Sequence, residues 1–320
     1  MNVAANINGG APAPAPIAKP KRMSLDSLRE GRISAPPRVC IYGPEKIGKS
    51  TFASGAPKPI FIGKDSGTEH LDIKRMPQPE TWAELMEGIR EVEARGKKMG
   101  FETLVVDPVN WLEPLAIADI LGPKGGSLDK FEGGYGRGTN ALADRWRAFV
   151  HAVEAVWTSG MGVVIVAHCR TKQFNNPLGK NWTRYEMAFA ETGAGMIRQW
   201  VDCILFAERE AGANHEGKGI STGHVFLHTR PNAGFDAGNR WDLPPTLPMS
   251  WQALSAAKLS FEEKDKSLRS QIEQLIQAIG DPVVEKQARA FLADTITTSR
   301  LVEIVNGLQK KLSEKEKVNE

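Results

Sequence analysis

The run Gly43, Pro44, Glu45, Lys46, Ile47, Gly48, Lys49, Ser50 and Thr51 restricts what this chain can fold into more than any other part of it. A glycine, four residues, then Gly-Lys-Ser is the spacing at which a short loop can turn its backbone N–H groups inward around phosphate oxygens. Such a loop belongs between a strand and a helix, because the helix N-terminus adds N–H groups and the positive end of its dipole. Val39 to Tyr42 has the apolar composition of a buried strand, and a helix is expected to open directly after the loop. In that setting the Lys49 ammonium reaches the β and γ phosphates and the Ser50 hydroxyl ligates Mg²⁺, so ATP and Mg²⁺ are the expected cofactors. The competing reading is a glycine-rich turn with an incidental lysine.

Short β-branched runs recur along the chain: RVCIY from Arg38, PIFIG from Pro59, TLVVD from Thr103, GVVIVAH from Gly162 and DCILFA from Asp202. Unbroken apolar runs of this length are the mark of strands buried on both faces. Between them Trp82, Leu85, Met86, Ile89 and Val92 recur at helical spacing, as do Leu142, Trp146, Phe149, Val150, Val153 and Trp157. The alternation predicts an α/β fold, a three-layer and mostly parallel sheet, over residues 36–255. GHVFLHTR from Gly223 and NRWDLPP from Asn239 suggest further, antiparallel strands at its edge. After Phe261 three apolar stripes predict a small helical appendage over 262–313, with 314–320 frayed. Residues 1–35 lack periodicity and carry Lys19, Lys21, Arg22, Arg29 and Arg32 against Asp26 and Glu30, a flexible basic tail that accounts for the whole net charge of +3. No apolar run approaches a membrane span or a secretory signal, which predicts a cytoplasmic protein. Cys40, Cys169 and Cys203 stand apart within apolar runs and are expected to be buried, reduced thiols.

A phosphate-binding loop needs an acidic residue at another strand tip for the Mg²⁺ shell, and Asp107 ends TLVVD. Asp65, just past the second strand, is the candidate to orient an attacking water, with Glu69 as a substitute. His168 ends GVVIVAH, where it can sense the γ-phosphate or serve only structure. The segment that follows interleaves Arg170, Lys172, Lys180 and Arg184 with Phe174, Trp182 and Tyr185. Cations for phosphates and rings for bases are what a loop that binds single-stranded DNA uses; a solvated loop with tucked aromatics is the alternative. Tyr135 and Arg137 in FEGGYGRGTN form a possible second, mobile contact.

From Pro37 to Pro245 the ordered set IYGPEKIGKSTFA, FIGKDSGTEHLDI, PETWAELMEGI, TLVVDPVNWLEPL, GGYGRG, VVIVAHCRTKQF, WVDCILFAE and AGNRWDLPP resembles the RecA-like P-loop ATPases. It is most similar to the phage-encoded nucleotide-binding proteins of that group, which include single-strand annealing ATPases. The resemblance implies a Mg²⁺-dependent ATPase of RecA-like fold that forms homo-oligomers, ring or filament, and binds single-stranded DNA in phage recombination, in the host cytoplasm. A Glu is expected after the second strand; this chain has Asp65, one methylene shorter. A late Ala-Lys-Asn-Arg run is expected; here Ala237, Gly238, Asn239 and Arg240 leave only Arg240 as a charge supplied to the neighbouring protomer. The differences favour slow hydrolysis and keep open an ATP-dependent switch or adaptor that engages a protein partner through the C-terminal helices. A ring helicase or translocase is a third reading.

Overall fold

Apolar runs and amphipathic stretches become strands and helices in the expected alternation. The computed structural model describes residues 35–64, 68–177, 179–213, 219–293 and 297–319. The tail expected before residue 35, and Asp65, lie outside the described residues. Six strands run parallel: β1 Arg38–Gly43, β2 Pro59–Ile62, β3 Lys74–Arg75, β4 Thr103–Val106, β5 Gly162–Phe174 and β7 Cys203–Ala213. β6 Trp182–Met187, β8 Gly219–His228, β9 Gly238–Asn239 and β10 Thr246–Pro248 are antiparallel to their neighbours. The order across the described sheet is β10-β8-β7-β1-β5-β4-β2-β3, with β6 paired to β5 and β9 to β7. β1 therefore lies at the centre, and β5 stands between it and β4.

Strand pleating divides the apolar residues between two cores. Cys40, Tyr42, Ile62, Leu104, Val106 and Ile165 meet α2 Trp82–Glu91, α4 Arg137–Thr158 and α5 Glu191–Trp200 on one face. Val39, Ile41, Phe61, Val105 and Val164 meet α1 Lys49–Ser54 and Trp251 on the other. Each fully buried Leu, Ile or Phe contributes about 1.5–3 kcal/mol relative to exposure, so both layers hold the sheet. α2 begins where predicted because Thr81 and Glu84 form a reciprocal capping box. α3 Leu112–Leu121 follows β4 through a short turn.

Several expectations change. The polar segment after His168 is not a loop: β5 continues to Phe174 and turns back as β6, pairing Arg170 with Glu186 and Phe174 with Trp182. NRWDLPP is mostly not strand, because the Asn239 side chain accepts the Trp241 and Leu243 N–H groups and curls the chain before Pro244 and Pro245; the edge is made by β10 instead. The interval between the core and the helical appendage is spanned by one helix, α6 Trp251–Ile279, capped by Ser250 and ended at Gly280. With α7 Pro282–Ala293 and α8 Thr298–Asn319 it closes a third core around Ile272, Ile276, Leu301 and Leu308. α8 runs through 314–319. Of the stripe expected on α7, Val284 is buried, whereas Val283 is 63% and Phe291 53% exposed. No described helix is long and apolar enough to cross a membrane. The cysteines are free; Cys40 and Cys203 are buried and Cys169 half-buried, and burial pushes the Cys40 thiol up to about 12.

Candidate nucleotide site

The chain can leave β1 as a tight loop because of its glycines. Gly43 lies so close to β7 that a Cβ there would sit 2.5 Å from the Ala207 carbonyl oxygen, and Gly48 has φ of 103°, in the left-handed region. Lys46 also takes a positive φ, 56°, which turns the backbone through the loop. α1 then opens at Lys49 with no side chain capping its first turn, so its N–H groups face the loop interior. Lys49 is buried, and its Nζ donates to the carbonyls of Gly43 at 3.0 Å and Pro44 at 2.6 Å. The ammonium is held beneath the loop by the backbone it would leave for a phosphate oxygen. Its field reaches Cys169, whose thiol burial raises while Lys49 pulls it down. Ser50 is half-buried beside it; Glu45, Lys46 and Thr51 are exposed and Ile47 anchors the loop in the core.

The strand order sets the rest of the site. Gly43 pairs with His168, so the histidine, midway along β5 rather than at its end, lies abreast of the first loop glycine. Asp107 follows β4, two strand spacings from β1, or about 10 Å. It is buried, its N–H bonds to the Ile62 carbonyl, and a Cβ on Gly63 would fall 1.8 Å from its carbonyl oxygen. Only glycine fits beside it. Sequence reasoning missed Asn110, which ties these strand ends together: its Oδ1 accepts the His168 N–H at 2.7 Å and its Nδ2 donates to the Ala188 carbonyl at 2.9 Å. Glu113 adds a second tie by accepting the Ala190 N–H at 2.6 Å. The available signal was a polar pair inside VNWLEPL just past a strand-end aspartate.

The structure thus gathers Gly43 through Thr51, His168 and Asp107 at one edge of the sheet. These residues fit a nucleotide with Mg²⁺: a cradle that side chains would fill, a buried ammonium, an uncapped helix start, a hydroxyl and a carboxylate. Among the described residues no three His, Cys, Asp or Glu side chains cluster as a metal cage, and Mg²⁺ ordinarily takes one or two protein ligands and completes its shell with water and phosphate. Glu69 is exposed.

Arg240 is elsewhere. It follows β9, which pairs with the start of β7, and the start of β7 pairs with the start of β1. That is the opposite edge of the sheet, where Arg240 binds Asp202 at 3.0 Å and the Gln199 carbonyl at 3.1 Å. The hairpin's cations are engaged as well. Lys172 pairs with Glu186 and Glu191, Arg184 with Glu186 and Asp236, and Arg170 donates to the Phe189 carbonyl. Phe174 packs on Trp182 with centroids 4.7 Å apart, Arg184 lies over Phe174, and Trp182 donates to the Ala233 carbonyl. Lys180 is exposed near the hairpin tip, and Tyr185 is 36% exposed. Tyr135 stands 99% exposed, while Arg137 donates to the Glu132 carbonyl. The family model described as AAA domain matches residues 35–241. No curated protein matches the chain.

Proposed function

The chain belongs to the AAA domain family, and from that premise we propose that it is a Mg²⁺-dependent ATPase of RecA-like type whose nucleotide state sets the position of the β5–β6 hairpin, with single-stranded DNA as its client. The observation that carries the reading is the continuity of β5. One strand runs from His168, abreast of the phosphate loop, to Phe174 at the far end of the hairpin. A displacement at the γ-phosphate is passed on along a stiff element.

In this mechanism the loop N–H groups and the start of α1 bind the phosphates, and Lys49 exchanges its two carbonyl partners for γ-phosphate oxygens. Ser50 and Asp107 would hold Mg²⁺, which, when bound, offsets charge building up on the phosphate oxygens. Asn110 holds the His168 backbone abreast of the loop, where its ring senses the γ-phosphate. Asp65, outside the described residues, orients the water, and its shorter reach makes turnover slow. Homo-oligomers remain part of this reading, with Arg240 left out of the site because it is engaged at the far edge.

ATP hydrolysis measured with and without single-stranded DNA, with Lys49→Ala as control, tests it. Stimulation lost in the mutant supports the reading; hydrolysis indifferent to DNA removes the client. A second reading is favoured by different contacts. Phe52 of α1 packs on Trp251 of α6 at 5.4 Å, so the helix that opens at the phosphate loop touches the helix that enters the C-terminal bundle. An ATP-dependent adaptor would send its signal that way to a protein partner at Val283 and Phe291. Replacing both by serine in the full chain should then abolish partner capture and leave DNA-stimulated hydrolysis intact.

A further inference from the structure

The β5–β6 hairpin has two faces with different fates. On one, Lys172 and Arg184 are neutralised by Glu186, Glu191 and Asp236, and Phe174 covers Trp182. On the other, Thr171, Thr183 and Tyr185 line a cavity of about 600 Å³, completed by Glu208 of β7 and by Asn232 and Phe235 from the turn after β8. Its apolar wall is made by Tyr185 and Phe235, which belong to a row of rings. Tyr185 stacks on Phe206 at 5.2 Å, Phe206 on Phe235 at 4.6 Å, and Phe235 meets His228 at 4.4 Å. Tyr185 is the outermost and is partly exposed.

The polar groups at the rim are specific in kind. Glu208 Oε2 lies 2.8 Å from His228 Nε2, which fixes the carboxylate and leaves Oε1 as an acceptor. Asn232 Oδ1 already accepts the N–H groups of Gly234 and Phe235, so its side-chain NH₂ is the donor it has to offer. Flat rings, a fixed carboxylate acceptor and an amide donor together suit a planar heterocycle that carries an exocyclic amino group. We propose that this cavity binds an unpaired amino-bearing nucleobase, adenine, cytosine or guanine, and disfavours thymine, whose ring N–H is flanked by two carbonyls that a carboxylate repels. The base comes from a single strand or from a free nucleoside. The proposal rests on the single-strand reading above and moves the contact from the cationic face expected from sequence to the hydroxyl and tyrosine face. Behind Tyr185, Phe206 pairs with Tyr42, the residue before Gly43.

The test uses the full chain and fluorescein-labelled dA, dC and dT twelve-mers read by anisotropy, with adenosine, which has no phosphate for the loop at Gly43, as the second probe. Tyr185→Ala should weaken dA and dC binding by about 10-fold or more, and Tyr185→Phe should restore it. Glu208→Ala should erase the preference for dA and dC over dT, lowering dA and dC affinity and raising dT affinity. Circular dichroism melting of each variant separates lost binding from lost fold. Strand binding unchanged in all three variants overturns the pocket and leaves the single-strand reading standing. If the wild type binds no strand, that reading fails; adenosine binding that is lost in Tyr185→Ala then supports the pocket with a free nucleoside as ligand, and no adenosine binding overturns it.

Discussion

The two edges of the central sheet use similar residues to opposite ends. At the edge where β1 starts, Arg38 grips Asp202 through its backbone N–H and guanidinium, lies over Trp157 at 4.4 Å, and shares Asp202 with Arg240. Trp157 donates to the Pro36 carbonyl and Trp200 to Glu154. Arg38, Asp202, Arg240 and Glu154 are thus all met by other parts of the same chain. At the edge where β1 ends, the chain places glycines, an uncapped helix start and a lysine whose ammonium donates to two carbonyls of its own loop. A lysine ammonium on neutral carbonyls is far less well matched than an arginine on a carboxylate. The lesson is that a charged residue marks a ligand site when its partners are replaceable, and a structural clamp when they are not.

The largest test of that contrast is Lys49→Ala. Losing a buried cation aimed at developing negative charge should lower hydrolysis by about 100-fold or more. The checks are a steady-state phosphate-release assay and a thermal melt, the melt expected to show a folded variant. A variant that hydrolyses ATP normally would move the site away from the loop. Next in size is Asn110→Ala. The loss of two part-buried hydrogen bonds should cost about 1–3 kcal/mol of stability and, by freeing β5 at His168, lower hydrolysis roughly 10-fold. A change in stability with no change in rate would make Asn110 a structural staple alone.

Asn110 also shows what the sequence could and could not reveal. The loop and the parallel strands are local patterns: β-branched runs, glycines at fixed spacing, a strand-end aspartate. Each carries its signal within a few residues, and the structure repeats them. Asn110 acts on His168, which lies 58 residues away, so no local pattern announces it. The hairpin was hidden for a related reason. Arg170, Lys172, Phe174, Trp182 and Arg184 look like a solvated loop because their polar pairing depends on α5 and the turn at Asp236, which only the fold brings near. α6 was readable in principle, since no glycine or proline interrupts Trp251 to Ile279 and Ser250 caps it. The apolar stripe after Phe261 drew the boundary there instead. Arg240 differs again, because the resemblance gives it a role in a neighbouring protomer's site, and the strand register within one protomer places it at the far edge without reaching that question.

Arg240→Ala is the smallest and sharpest of the three. Its guanidinium is about half exposed, at 55%, and Asp202 keeps its bidentate bond to Arg38 when Arg240 is gone. The expected loss is within the 0.2–1 kcal/mol range of exposed pairs, because solvent and salt screen the charge and no buried carboxylate is orphaned. Hydrolysis should be unchanged at every protein concentration, measured across a dilution series that spans any self-association. A loss of hydrolysis confined to high concentration would break the comparison between the two edges. It would mean that the clamp edge of one protomer meets the loop edge of another, and that Arg240 exchanges Asp202 for a neighbour's phosphate.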